Sequence, residues 1–269
     1  MTLGGTNSYV VGRDPAYVID PGPRIPAHLE AIRKEAELRG GLGGVLLTHS
    51  HADHSEGAVS LGAELLWGEP TTRDEAAALA AAQAHLHDQL IACADDSPAT
   101  EAGASDVAPL ANTAAGPRPG TVGPFTTLPT PGHASDHVAF LIGDVCFCGD
   151  LILGEGSSIV PPEAGGGSLS AYMASLGRLA ELELVLLCPG HGPWITEPKA
   201  KIAEYVNHRL DRERTLRAAL VGGERSRAKL LDTAWDDVPS NLRPAAALAM
   251  QAHLEKLAAE GMELPKLRD

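Results

Sequence analysis

The chain has 269 residues, 44% of them hydrophobic, and a formal net charge of −14. That is enough apolar material for one large core, or for a domain with a small appendage, and no run of about 18 uncharged apolar residues is present to cross a bilayer. The charge is uneven, with 9 Lys and Arg against 24 Asp and Glu in residues 1–200 but 12 against 11 in residues 201–269, so the body repels polyanions at long range and counts against a nucleic-acid partner.

The opening MTLGGTNSYVVG lacks the basic and long apolar stretches of a secretory signal, which makes the cytoplasm the expected location. NSYVV and AYVID read as two short strands around the turn GRDP, and Leu29, Ile32 and Leu38 give helical spacing over 26–39. GVLLT is a short buried strand ending at Thr48. SEGAVSLG then predicts a brief helix, AELLWGE a strand and the Ala-rich block 71–94 a long helix. Residues 95–123, rich in Ala, Pro, Gly and Thr, have no periodicity and read as a long surface loop. Strands return at FTTLPT, HVAFLI and VCFCG, a helix covers 168–182, and LVLLCP is the last strand. From Glu197 the pattern is helical throughout, which divides the chain into residues 1–197 and an appendage of residues 198–269. Met250, Leu254 and Leu257 mark the inner face of that tail. Cys93, Cys146, Cys148 and Cys188 form no C-x-x-C pair and read as reduced, mostly buried thiols.

The chemistry concentrates in LLTHSHADHSEGA, residues 46–58, where three histidines and an aspartate follow a strand. Read as extended backbone, His49, His51 and Asp53 project to one side and His54 to the other, so one loop offers ligands to two neighbouring metal ions. Imidazole and carboxylate are donors that zinc accepts, but two ions need more than four. Three further turns supply them, each with a glycine that lets the backbone bend sharply: TPGH at His133, FCGD at Asp150 and CPGH at His191.

The order H-x-H-x-D-H, lone His, lone Asp, lone His resembles the metallo-β-lactamase superfamily. The resemblance implies a four-layer αββα sandwich with the site at one edge of two packed sheets. It implies two divalent ions, zinc foremost: one held by His49, His51 and His133, the other by Asp53, His54 and His191, with Asp150 bridging both. A hydroxide shared by the ions would be the nucleophile, and Asp53, beyond its ligand role, would orient the attacking water. Aspartate at position 150 is similar to the hydrolases and phosphodiesterases of the superfamily; its zinc β-lactamases carry cysteine there. GTNSYVVG, TPGHASDHVAF, GDLILGEGSS, PGHGP and EYVNHRLDRER together resemble the narrower β-lactamase-like protein 2 group. Its members append a small winged-helix-like domain and include single-strand endoribonucleases.

Other polar residues carry paired readings. By resemblance Asn7 lines the cleft. Asp136 or His137 either orients a metal-binding histidine or is structural. His208 and Arg209, on the first tail helix, serve packing and inter-domain hydrogen bonding or touch substrate. His85 and His87, two apart on a helical pattern, share no face and read as solvated. The third tail helix, 243–260, holds Lys256 as its only cation after Arg243, and nine residues from Gly261 onward are too few for the two strands of a wing. Phosphodiester cleavage in single-stranded RNA is preferred slightly over ester, thioester or lactone hydrolysis, which suits the acidic body better. If RNA is the substrate, Arg209, Arg212 and Arg214 must meet its phosphates. The non-enzymatic alternative is a nucleic-acid-binding module with structural metals; three ligands per ion plus a shared carboxylate argue against it, because they leave a position open. The expected partner is thus a small-molecule or single-stranded RNA substrate, with no membrane and a homodimer as the candidate assembly.

Overall fold

A computed structural model describes residues 5–67 and 120–268. The expected long helix at 71–94, with His85, His87 and Cys93, lies outside the described residues, as does most of the expected loop.

The first sheet runs β1 (Tyr9–Val11), β2 (Ala16–Ile19), β3 (Leu42–Leu46), β4 (Leu65–Trp67) in that order. β1 and β2 form an antiparallel pair, whereas β2, β3 and β4 are parallel, a direction that requires a crossover; α1 (Pro26–Leu38) supplies the first. Successive side chains of a strand point to opposite faces, and the neighbours Val18 and Ile19 of β2 show it. Val18 joins Leu29 and Ile32 of α1 with Val45, Leu47, Ala58 and Leu61, while Ile19 and Leu46 face Phe125, Val138, Phe140 and Phe147 of a second sheet.

That second sheet is β5 (Gly120–Val122), β6 (Phe125–Pro129), β7 (Val138–Ile142), β8 (Val145–Gly149) and β9 (Leu186–Pro189). The first four form an antiparallel meander and β9 runs parallel to β8. Between β8 and β9 the chain forms α4 (Leu169–Ala180), started by the Ser168 hydroxyl accepting from Ala171 N. Its Leu169, Tyr172, Leu176 and Leu179 cover Ala139, Cys146, Cys148 and Leu187 on the outer face of the sheet. The layers are therefore helix, sheet, sheet, helix.

Two local expectations are corrected. β5 falls within the segment expected as loop: three residues are too few to show alternation, and the hairpin with β6, register Val122 to Phe125, makes the strand. The stretch around His54 is not extended either. Residues Ala52–Ser55 form a short helix, α2, in which His54 N and Ser55 N both donate to His51 O at 3.0 Å. Successive residues there advance by a helical step of about 100°, which ends the i, i+2, i+4 alignment at His51. A second short helix, α3 (Ala58–Leu61), follows.

The tail comprises α5 (Pro198–Val221), α6 (Arg227–Ala234) and α7 (Arg243–Ala259). Met250, Leu254 and Leu257 of α7 are buried with Leu216, Leu220, Leu230 and Trp235, each full burial of such a side chain contributing about 1.5–3 kcal/mol. α5 is shared: Ile202 and Tyr205 pack on the sandwich, Leu216 and Leu220 on the tail. The last residues return to the tail's start, where Arg268 N donates to Arg225 O and Arg227 N to Arg268 O, both at 2.8 Å. Cys146, Cys148 and Cys188 are free and buried. No described helix is long and apolar enough to cross a membrane.

Candidate metal centre

Four turns at one edge of the sandwich bring the histidines together. After β3, Thr48 is fixed by Asp20 at the end of β2, whose Oδ1 accepts from Thr48 N at 2.7 Å and whose Oδ2 accepts from Thr48 Oγ1 at 2.6 Å. Because that hydroxyl proton is committed to Asp20, Thr48 Oγ1 accepts from His49 Nδ1 at 3.0 Å. The proton of His49 is thereby held on Nδ1, and the lone pair sits on Nε2. The same logic recurs around the site. His54 Nδ1 donates to Asp20 Oδ2 at 2.9 Å, His133 Nδ1 to Ile159 O at 2.7 Å, and His191 Nδ1 to Gly5 O at 3.0 Å. Four outward-facing protons leave four Nε2 lone pairs facing inward.

Those lone pairs meet each other and two carboxylates. His49 Nε2 and His133 Nε2 lie 2.9 and 3.0 Å from His51 Nδ1, and at most one of the three nitrogens can carry a proton between them. On the other side, His191 Nε2 lies 3.3 Å from Asp53 Oδ2 and 3.4 Å from Asp150 Oδ2, while His54 Nε2 lies 3.7 Å from Asp53 Oδ2 and 3.5 Å from Asp150 Oδ1. His54 Nε2 and Asp150 Oδ1 are buried without any hydrogen-bond partner, a state that costs on the order of 1–3 kcal/mol per group. His49, His51 and His133 form one group of converging donors, Asp53, His54 and His191 another, and Asp150 joins His49 and His54 in a third between them. Buried imidazole nitrogens and carboxylate oxygens that converge from different turns on common points fit divalent cations. All seven residues singled out from the sequence are thus brought together, with the short helix turning Asp53 and His54 toward His191.

The electrostatics agree. Burial, with the neighbouring imidazoles, holds His49 well below the ordinary histidine range and His51 at about 3, and burial lowers His133 as well, so these rings present lone pairs at neutral pH. Burial works against charge on His54 and His191 too, but the carboxylates of Asp150 and Asp20 raise His54, and those of Asp150 and Asp53 raise His191 to about 9. A position that draws a proton so strongly draws a cation for the same reason. Asp150 is held well below the usual carboxylate range against its burial, chiefly by His54 and His191.

Glycine is required at one of these turns by close approach. A Cβ on Gly190 would stand 2.4 Å from Asp150 Oδ1 and 2.6 Å from His54 Cε1, inside the cluster itself.

The remaining sequence candidates divide. Asp136 Oδ2 accepts from Ser50 N at 2.8 Å and so anchors the H-x-H turn. His137 is fully buried, bonds Thr130 Oγ1 at 2.8 Å and lies with its ring 5.2 Å from that of His49. Asn7 sits behind the last turn, its Nδ2 donating to Pro189 O at 3.0 Å and Gly192 O at 2.8 Å, on either side of His191. His208 is not at the cluster; it accepts from Arg212 Nε at 3.3 Å in the tail. Arg209 is buried and donates to Ser157 Oγ and Ser158 O. Asp20, Thr48 and Ser158 were not singled out from the sequence. The one signal for Asp20 is a lone acid closing an apolar strand, VIDPGP, in the same position relative to its strand as Asp150.

Residues 1–191 match the metallo-beta-lactamase superfamily, and residues 226–262 match the beta-lactamase associated winged helix domain. The chain is 30% identical over 277 residues to a beta-lactamase-like protein 2 homolog of Drosophila melanogaster, covering 97% of this chain and 85% of that protein. It is 31% identical over 224 residues to an atrochrysone carboxyl ACP thioesterase of Aspergillus chevalieri, covering 81% of this chain and 61% of that one. Among solved structures, a metallo-beta-lactamase family protein of Thermus thermophilus superposes with a TM-score of 0.65 at 24% identity, covering 95% of this chain and 89% of the other. A protein crystallised in a di-iron-bound form superposes at 0.51 with 28% identity, covering 74% and 93%.

Proposed function

The chain belongs to the metallo-beta-lactamase superfamily, and we propose on that premise that it is a binuclear, zinc-dependent hydrolase of small acyl substrates, esters or thioesters. His49, His51 and His133 would hold one ion, Asp53, His54 and His191 the other, and Asp150 would serve both. When bound, such a pair lowers the pKa of a water and polarises the carbonyl under attack.

The chain's own residues do the rest. Asp20, Thr48, Ile159 O and Gly5 O fix the four imidazole tautomers. Asp53 stands at the rim of the cluster, with 32% of its side chain accessible, and its carboxyl is held below the ordinary value, against its burial, by His191 and His54. An ionised Oδ at the rim accepts a hydrogen bond from an incoming water and orients it toward the substrate.

One observation carries the choice of substrate: the cations offered for a phosphate backbone are already engaged. Arg209 is buried, Arg212 grips both oxygens of Asp237 at 2.6 and 2.8 Å, and Arg214 pairs with Asp211 at 2.6 Å. On α7, Lys256 lies between Glu213 and Glu260, and Arg243 is bonded to Asp232. Each pair cancels its own far field, so the tail offers RNA little attraction to offset the acidic body. The similarity to a protein named as an acyl-carrier-protein thioesterase supports the same reading.

The second reading, cleavage of single-stranded RNA, rests on the match of residues 226–262 to a winged helix domain. Hydrolysis of a generic thioester and cleavage of a single-stranded oligoribonucleotide, measured side by side at low and high salt with and without chelator, decide between them. Metal-dependent thioester turnover that is indifferent to salt is the expected result. RNA cleavage that weakens steeply with salt, with no thioester turnover, overturns it.

A further inference from the structure

The loop of residues 151–159, between β8 and α4, touches three of the seven clustered residues. Ile159 O accepts from His133 Nδ1 at 2.7 Å. Ser158 Oγ donates to Asp150 O at 2.6 Å and lies 3.3 Å from His133 Nδ1. Gly154 N donates to His191 O at 2.9 Å. The loop has no regular backbone pairing of its own, so something else must fix where these groups stand.

Two side chains of α5 do so. Tyr205 Oη accepts from Leu153 N at 2.9 Å and donates to Gly156 O at 3.0 Å. One helical turn on, Arg209 Nη2 donates to Ser157 Oγ at 3.0 Å and to Ser158 O, with its guanidinium 5.4 Å from the centre of the Tyr172 ring. Tyr172 in turn donates from Oη to Leu151 O at 2.6 Å. Arg209 is only 4% exposed and its Nε has no partner. A buried cation satisfied by a carbonyl, a hydroxyl and a ring face, with no carboxylate beside it among the described residues, is a costly way to pack a helix. Its position is explained by the loop it holds.

We propose that Arg209, with Tyr205, is a positioning residue for the metal centre: from the tail helix it fixes residues 153–158, and through them the Ile159 carbonyl and Ser158 hydroxyl that set the ring and tautomer of His133. The inference rests on the binuclear reading given above. Outer partners of metal-binding histidines orient the ring and tune its basicity, and their loss weakens metal affinity by about 10–100-fold. Arg209 acts one contact further out, so the expected loss lies at the lower end of that range.

The test is metal affinity in the full chain, measured for Zn2+ by competition with a chromophoric chelator and for Co2+ by its visible absorption. It needs no substrate. Arg209→Met removes both donors while keeping volume, Arg209→Lys keeps the charge but not the fork, and Tyr205→Phe removes one hydroxyl with the ring in place. Arg209→Met should lose about tenfold in affinity for one of the two ions and shift the Co2+ spectrum, with Arg209→Lys between it and the wild type. Should Arg209→Met fail to fold, Tyr205→Phe carries the test and should weaken the same ion severalfold. Variants that melt earlier but bind both ions with wild-type affinity and spectrum overturn the proposal, since a merely structural role predicts that. A wild-type chain that takes up neither metal overturns the binuclear reading instead, a result distinct from equal binding by wild type and variants.

Discussion

Asp20 and His54, both buried, meet through Asp20 Oδ2 and His54 Nδ1 at 2.9 Å. The same oxygen accepts the Thr48 hydroxyl, and the other oxygen accepts Thr48 N. One carboxylate thus sets the tautomer of His54 directly and that of His49 through Thr48, one ring from the His49, His51, His133 group and one from the Asp53, His54, His191 group.

Asp20→Asn is therefore expected to affect both halves of the centre. An amide in that place still accepts one bond but presents N–H donors to a hydroxyl and an imidazole N–H. The chain should lose about 10–100-fold in metal affinity, measured by chelator competition, together with about 1–3 kcal/mol of stability in urea. A variant with unchanged metal affinity contradicts the role assigned to Asp20.

Metal content is the simplest check of the centre. Protein purified without chelator should hold close to two equivalents of divalent metal by elemental analysis, lose its hydrolytic activity on dialysis against chelator and regain it with added Zn2+. Less than one equivalent after reconstitution contradicts the two groups of donors, and two equivalents of iron would change the identity of the ion but not the count.

Asp150→Ala should cost more turnover than any other single replacement in the cluster, because its two oxygens face both His54 and His191 on one side and, at 3.7 Å, His133 on the other. The comparison is with His49→Ala at saturating metal. Turnover of Asp150→Ala within tenfold of the wild type removes it from the shared position.

Gly190→Ala inserts one methyl where the nearest atoms are Asp150 Oδ1 and His54 Cε1. The methyl meets the cluster before anything else, so circular dichroism should be unchanged while metal affinity falls by at least about tenfold. A fully loaded, active Gly190→Ala variant would show that the cluster can give way to a methyl.

In the tail, Glu213 gives a pH dependence of known sign. His253, 3.7 Å away, and Lys256, at 2.9 Å, hold its carboxyl at about 2, below the ordinary 4.5. A carboxylate whose pKa is depressed on folding contributes fully above the unfolded value and loses that contribution as the pH falls through the folded one. Urea stability of the wild type should thus decline between about pH 4.5 and 2 by more than that of Glu213→Gln, whose own deficit of about 1–3 kcal/mol appears at neutral pH. Parallel curves for the two proteins contradict the pairing.

The ligand set is legible in the sequence because its spacing is short-range: H-x-H-x-D-H and three strand-ending turns keep their meaning wherever the turns come together. The supporting shell is not. Asp20 acts on Thr48 and His54 from 28 and 34 residues away, and no local pattern marks that pairing. A four-residue helix has no period, so Asp53 and His54 read as extended backbone. The tail shows the same limit from another side. The charge of Arg212 is plain in the sequence, but it is held by Asp237, 25 residues on, and only the folded tail shows that this cation faces its own counter-charge.

α5 has a consequence for how the chain can be divided. Its first half completes the core behind β8 and β9, and its second half completes the core of the tail. Cutting at its start would strip Ile202 and Tyr205 from the sandwich, and cutting in its middle would leave both cores open. The two regions should then melt in one cooperative transition, and exchange of this tail for another protein's would succeed only where the junction carries the whole helix across.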